Sequence, residues 1–448
     1  MSERTIKVSM ITLGCSKNLV DAECMLTLVR QNGFEVVEDI NQATDVIINT
    51  CGFIESAKKE AIDTILSVAD LKKPNGNVEH IIVSGCLPQR YAPDILESMP
   101  EVDMVLGTSH YQDIVPAINS LYNDADPDKT YVSEPGGISQ LMTRREITTS
   151  GFAWLKIGEG CLNRCSFCAI PLIRGNYISR SMEDVLEEAK DIASRGFREI
   201  ILAAQDTTNY GIDIYKKRSL PVLLRELSKI EGIETIRVMY GYMDGIDDEL
   251  INEIKSNPKV AKYLDIPIQH GDDSVLKAMR RRDDVAKITS VLEKLRSEIP
   301  GIIIRTTVLV GFPGETEEAF DNLINNLKKW RFDRLGCFVF SPEEGTTAYD
   351  MPDQVPEDIK EARCAKVYEV QREISSELNK ARLGQEVMVT IDSVSDDGIF
   401  YKGRSYGEAP EVDPEIFVAS SDGELELGKS YKCKIVDASD YELTGVTL

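Results

Sequence analysis

Three cysteines, Cys161, Cys165 and Cys168, sit within eight residues in the stretch GCLNRCSFC. Three thiolates on one loop are soft ligands, and each can take a different iron of a four-iron, four-sulfide cluster. The fourth iron of such a cluster stays open to another ligand. A zinc site would want a fourth Cys or His close by, and the stretch offers none. A second trio is spread more widely. VSMITLGC ends at Cys15, DVIINTC at Cys51 and HIIVSGC at Cys86, with gaps of 36 and 35 residues. Each thiol closes an apolar run. That pattern fits either a ligand held out at a strand end or a small packing residue, since free Cys is often buried. Cys24, Cys337, Cys364 and Cys433 fall on apolar faces and read as core. The chain has only three histidines, His80, His110 and His270, so no side-chain acid or base catalyst is expected. His270 reads as a strand-end histidine satisfied by its own neighbours.

The elements around these thiols are legible. Up to about residue 125, short apolar runs alternate with helical patterns, as in a parallel α/β sheet. Helices are expected near 17–31, 55–71, 88–98 and 111–121. Ligands of such sheets sit outside the carboxyl ends of the strands, so Cys15, Cys51 and Cys86 have a reason to converge. Asn18 and Asp21 either brace the first helix or face that rim. Residues 126–145 read as a linker, with its Pro and Gly residues. From 146 to 382 the alternation resumes, with FAWLKIG, EIILAAQ, TIRVMYGY, YLDIPIQ, IIIRTTVLVG and LGCFVFS as strands. Six β/α units predict an open, partial (β/α)6 barrel. A long helix near 356–381 follows. Residues 383–448 switch to period two with Gly and Asp turns, which predicts a small antiparallel β-barrel. The fold class is therefore α/β with a β-barrel appended.

The 448 residues exceed one ordinary core. Apolar residues make up 42% and charged residues 28%, with no run long enough for a membrane helix. The amino terminus has no leader pattern, and ten cysteines in a large chain point to metal or redox chemistry; a cytoplasmic location is expected. The net charge of −24 disfavours nucleic acid as a direct partner and suits a basic one, though solubility alone is served by the same charge. The terminal barrel itself carries 14 acidic and 5 basic residues.

The Cys161–Cys168 run, the strand before it and the β/α units after it resemble the radical S-adenosylmethionine (SAM) enzymes. The resemblance implies a [4Fe–4S] cluster whose open iron chelates SAM, and one-electron cleavage to a 5′-deoxyadenosyl radical. Phe167 matches the aromatic position near the adenine. Ala204, Gln205 and Asp206, in ILAAQDTTNYG, look like the segment that receives the methionine amino group, although a plain Gly-Gly-Glu form is absent. Thr307 and Gly311, in TTVLVGFPGET, resemble the segment lining the nucleoside, and Gln269, in PIQHGDD, lies at another strand end. Either Arg305 or Lys156 is expected to meet a carboxylate.

The three-part order, with Cys15, Cys51 and Cys86 leading and a small TRAM-like barrel closing, is similar to the methylthiotransferases over essentially the whole chain. That family implies a second [4Fe–4S] cluster on the leading trio, which carries the sulfur, and two SAM molecules per product. TLGCSKNLVDAE, NTCGFIESAKKEAIDTI, VSGCLPQRY and GRSYGEAPEVD resemble the branch acting on an aspartate β-carbon of ribosomal protein uS12, with the protein or the small ribosomal subunit as partner. The competing branch modifies a tRNA adenosine. An electron donor and a sulfur donor are implied as further partners. A non-catalytic iron–sulfur protein is the alternative outside the class. KAMRRRDD, from Lys277 to Asp284, reads as a solvated helix end or a basic substrate contact, and Tyr406 as part of a recognition loop or a turn.

Overall fold

Asp45–Thr50, DVIINT, is buried at every position. A strand covered on both faces reads as an unbroken apolar run, which is the mark of a central strand in a parallel sheet. The computed structural model describes residues 5–448 except 75, 137–143 and 422. Its first layer contains β1 (Lys7–Thr12), β2 (Glu35–Val36), β3 (Asp45–Thr50), β4 (His80–Gly85), β5 (Met104–Leu106) and β6 (Thr130–Tyr131). They pair in parallel in the order β2-β1-β3-β4-β5-β6. The helices between them are α1 (Ser16–Gln31), α2 (Glu55–Ala69), α3 (Cys86–Ser98) and α4 (Ile114–Asn123). Ile47 and Ile48, fully buried on opposite faces, each contribute about 1.5–3 kcal/mol by leaving water. β6 lies inside the stretch expected as a linker, so that stretch supplies the edge strand of the first sheet.

The second sheet has six parallel strands in the order β14-β13-β12-β11-β10-β7. They are β7 (Phe152–Lys156), β10 (Glu199–Ala203), β11 (Thr235–Val238), β12 (Val260–Asp265), β13 (Ile303–Val310) and β14 (Arg334–Val339). The sheet stays open, as six β/α units require. Between β7 and β10, the short pair β8 (Gly158–Glu159) and β9 (Ile178–Ser179) brackets α5 (Ile170–Ile173). The covering helices are α6 (Met182–Ser194), α7 (Leu220–Leu227), α8 (Asp248–Ser256), α9 (Asp273–Ala278), α10 (Val285–Glu298) and α11 (Glu317–Trp330). Thr316 caps α11 by accepting from the Ala319 amide at 3.1 Å, a contact that stabilises a helix start by about 1 kcal/mol. The long α12 (Glu357–Lys380) packs on β14 and leads to the barrel.

That barrel is β15 (Glu386–Val394), β16 (Tyr401–Arg404), β17 (Ile416–Ala419), β18 (Ser430–Ala438) and β19 (Leu443–Thr447), closed in the order β15-β16-β17-β19-β18. Four pairings are antiparallel, and β17 with β19 is parallel, so the barrel is mixed. A parallel neighbour needs a longer crossover than a hairpin turn, and β18 supplies it.

The inner face of the second sheet is where the parts meet. Trp154, Ile201, Met239, Tyr263 and Ile303 join Val20, Cys24 and Met25 of α1 in one apolar cluster that also takes in Ala409. The first domain thus covers part of the open barrel through α1. From below, the loop 404–414 plugs the amino-terminal ends of the strands. Arg237 donates to the Tyr406 carbonyl at 2.7 Å, Tyr263 donates to Asp413 at 2.7 Å, and Trp154 donates to Glu411 at 3.2 Å. The GRSYGEAPEVD stretch is therefore largely an internal plug, with Tyr406, Glu411 and Val412 left exposed.

Candidate functional site

Strand register brings the leading cysteines together. Thr12 pairs with Asn49, and Thr50 pairs with Gly85. Cys51 and Cys86 therefore leave adjacent strands at the same level, about one strand spacing apart. Gly14 lets the Cys15 loop approach: its φ is +94°, and a Cβ there would stand 2.9 Å from the Cys51 Cβ. Asn18 stitches the loops, donating to the Thr50 carbonyl at 2.9 Å while the Cys86 thiol donates to its Oδ1 at 3.4 Å. Cys15 is exposed at this rim, and Cys86 is buried.

Electrostatics separate the three thiols. Although the residue as a whole is exposed, desolvation of its sulfur pushes the Cys15 thiol up, but the Lys17 ammonium and the Arg174 guanidinium, with the Asn18 and Lys17 amides, outweigh it, so its pKa lies below the ordinary value. Burial and the neighbouring Cys86 push Cys51 up to about 12. Burial also raises Cys86, against the pull of Arg174. Buried neutral thiols of this kind become ligands when a cation takes the place of their protons.

The second trio lies on the loop between β8 and α5. The Asn163 amide donates to the Cys161 sulfur at 3.3 Å, and the Ser166 amide is tied to the Met279 carbonyl at 3.0 Å. Burial lifts Cys161 to about 11 and raises Cys168 further, with Cys165 adding to both. Among the described residues, no three Cys, His, Asp or Glu side chains close on a single metal ion. Three thiolates on one loop suit a multi-iron cluster, in which each goes to a different iron.

Arg174 joins the two trios. It directly follows α5, which packs Ala169 and Ile173 against Cys86. Its guanidinium donates to Asp21 and Glu159 at 2.8 Å each and approaches the Cys86 sulfur at 3.6 Å. Lys156 donates to Asp21 at 2.8 Å and also pairs with Glu159. Burial alone would raise Glu159, but Arg174 and Lys156 overcome it and hold the carboxyl well below its usual range. Lys156 is thus spent inside the protein. Arg305 is held by Asp265 at 2.9 Å and Asp413 at 3.6 Å, towards the plug. Neither cation offered for a ligand carboxylate is free.

The other expected residues divide. Phe167 packs in an apolar cluster with Val275, Met279, Phe312 and Phe340. Gln205 donates to Glu159 at 2.6 Å, and its Oε1 is buried with no hydrogen-bond partner among the described residues. Asp206 is fully engaged by Asn163, Thr208 and Asn209 and so braces the Cys161–Cys165 loop. Ala204 has its methyl in the layer between sheet and helices. Gln269 adopts φ +71° at a strand end, and Thr307 lies half-buried on β13. Gly311 turns towards α12, where a Cβ would strike Lys360 at 2.2 Å. His270 is fully buried; its Nδ1 accepts from the Asp272 amide at 3.1 Å, and its Nε2 faces Glu315 at 3.4 Å. The RRR stretch divides: Arg280 and Arg282 are exposed, as at a solvated helix end, whereas Arg281 turns its side chain inwards. Arg281 is buried over the Tyr242 ring at 3.9 Å and reaches the Cys165 sulfur at 4.0 Å, while Arg282 bonds Asn163. Sequence reasoning missed Arg174 and Asn163, and singled out Arg281 only within the KAMRRRDD stretch. The lone Arg closing the apolar turn AIPLIR is the one signal that was available.

Family models match along the chain: Uncharacterized protein family UPF0004 at residues 7–107, the Radical SAM superfamily at 155–327 and the TRAM domain at 383–448. Solved structures share the fold at low identity. TsrM, a radical S-adenosylmethionine methyltransferase from Kitasatospora setae, has a TM-score of 0.59 at 14% identity, with 77% of each chain covered. The cobalamin-dependent radical enzyme OxsB has 0.53 at 13%, covering 82% of this chain and 56% of that one. Sequence relatives are far nearer. The ribosomal protein uS12 methylthiotransferase RimO of Acetivibrio thermocellus is 48% identical over 445 residues, with 98% of each chain covered. Those of Thermoanaerobacter sp. (45% identity, 98% of this chain and 99% of that one) and Geobacter sulfurreducens (44%, 99% of each) match along the same length. With the whole chain aligned at such identity, and with both cysteine trios lying at the ends of the sheets that the matched domains build, this chain belongs to the RimO family of radical SAM methylthiotransferases.

Proposed function

We propose that this protein adds a methylthio group to the β-carbon of an aspartate in ribosomal protein uS12. Cys161, Cys165 and Cys168 would hold one [4Fe–4S] cluster and Cys15, Cys51 and Cys86 a second. Bound there, the clusters supply an open iron for SAM, one electron to cleave it, and a carrier for the sulfur. The chain's own residues supply position. Asn163, fixed by Asp206, shapes the Cys161–Cys168 loop; Asn18 and Arg174 fix the trio of Cys15, Cys51 and Cys86 against it. Gln205 Oε1 is the acceptor best suited to the methionine amino group, because it is buried and lacks a donor. Phe167 offers an apolar wall for the adenine.

The single observation that carries this reading is the direct bridge, one short helix and one arginine, between two cysteine trios on two different sheets. An isolated electron carrier needs no such junction. The acidic surface favours a basic protein substrate over RNA: a cleft of about 580 Å³ beside the barrel is lined by Asp392, Glu411, Asp413, Glu415 and Glu442 against Lys402 and Arg404. The test is anaerobic reconstitution with iron and sulfide, then incubation with uS12, SAM and a low-potential reductant. Mass spectrometry should find uS12 heavier by one methylthio group, and unmodified uS12 beside cleaved SAM would refute the assignment.

A further inference from the structure

Lys17 is the second residue of α1, two positions beyond Cys15, and is only 7% exposed. Its ammonium sits 3.2 Å from the centroid of the Tyr240 ring and makes no ion pair or hydrogen bond with any described residue. Two costs fall on this one group. An ammonium loses hydration on burial. The amino-terminal end of a helix disfavours a cation, and the first turn of α1 carries no acidic residue to offset it. Its charge already favours the ionised form of the Cys15 thiol, and a largely desolvated cation at this rim offers the same attraction to an anionic group of a ligand.

Tyr240 shares the strain. It follows β11 in the left-handed region with φ +59°, which only Gly adopts without penalty, and its amide and carbonyl are pinned by Asp265 and Thr207. Its hydroxyl lies 3.1 Å from Ser16 Oγ. Lys17 and Ser16 come from the first domain, and Tyr240 from a strand end of the second. The three therefore meet at the seam between the Cys15 rim and the mouth of the open barrel.

We propose that Lys17, with the hydroxyls of Ser16 and Tyr240, binds a carboxylate at this seam: the side-chain carboxylate of the acceptor aspartate. This rests on the uS12 reading above. The carboxylate is bonded to the β-carbon that receives the methylthio group, so gripping it fixes the reacting carbon next to Cys15. It also distinguishes aspartate from its uncharged analogue. The methionine carboxylate of SAM is the other carboxylate brought to this mouth, and the test separates the two.

The full-length protein, reconstituted anaerobically and compared at equal iron content, is titrated with uS12 and with uS12 carrying Asp→Asn at the acceptor position. The unaltered protein should prefer the aspartate form on the order of tenfold, the worth of one charge-assisted hydrogen bond. Lys17→Met should bind both forms alike, while its SAM affinity stays within about twofold of the parent, less than the loss of such a bond. Lys17→Arg should recover most of the preference, and it carries the comparison, with Lys17→Gln, if Lys17→Met fails to load iron. A Lys17→Met or Lys17→Gln protein that keeps the preference overturns the inference, as does loss of SAM binding with the preference intact. If the unaltered protein modifies uS12 in that case, only the inference falls. If it neither binds nor modifies uS12, the functional reading falls and the inference falls with it.

Discussion

Cys51 and Cys161 are alike in burial and raised pKa, yet their removal should have different consequences. Cys161→Ala should lose reductive cleavage of SAM, with iron falling to about half when one of two four-iron sites is lost. Cys51→Ala should also lose about half its iron but still cleave SAM, while forming no methylthiolated product. Iron and sulfide assays and chromatography of the nucleoside product check both. Arg174 gives a prediction about stability. It compensates Asp21 and Glu159 in a water-excluded seam, and removing one partner of a buried ion network leaves uncompensated charge. Arg174→Met should cost about 3–5 kcal/mol, read from urea denaturation of the metal-free protein. The cysteine spacing was legible from residue order because ligand loops are local. Arg174 was not, because its partners Asp21 and Cys86 are remote in sequence and meet it only after the domains dock.

At the scale of elements, the plug at 404–414 is the least expected feature. Glu408 is buried in it, bonded to Arg382 at 2.6 Å and 3.4 Å from Arg334. Burial alone would raise its pKa, but the two guanidinium groups overcome this and hold it at about 2, below the usual 4.5. A carboxyl depressed in the folded state stabilises the fold above its unfolded pKa, and that contribution is lost as pH falls towards the folded value. Unfolding free energy should therefore decline between about pH 4.5 and 2, with Glu408 accounting for on the order of 3 kcal/mol. Glu408→Gln should flatten that part of the curve, as followed by chemical denaturation at a series of pH values. The alternation of apolar and polar residues announced most strands and helices. It could not reveal that β17 pairs in parallel with β19, nor that the loop before β17 turns inwards. The inward turn depends on long-range contacts with Trp154 and Tyr263.

For the whole molecule, the charge of −24 should govern association. Binding of basic uS12 should be faster at low ionic strength and slow markedly as salt rises from about 50 to 200 mM, because exposed charges are screened beyond a Debye length near 10 Å. Stopped-flow measurement across that range checks this, and a rate insensitive to salt would mean that the acidic surface plays no part in docking. The same surface should leave tRNA bound weakly or not at all at physiological salt. The continuous core from α1 through the inner face of the second sheet to Ala409 implies that the first domain and the plug stabilise the open barrel jointly.

The amino-acid order by itself determined the two cysteine trios, the parallel sheet, the six β/α units and the terminal barrel. These follow from local spacing, and from the periods of two and 3.6 that side-chain direction imposes on strands and helices. Tertiary structure alone decided which charged groups are free. Lys156, Arg305 and Asp206 look available in the sequence but are occupied by partners from distant segments, whereas Lys17 looks like an ordinary helix residue and lies over the Tyr240 ring with no salt bridge to any described residue. The reason is physical: a charge in a folded interior is defined by what desolvates it and what pairs with it, and both are set by contacts that only the docked domains create.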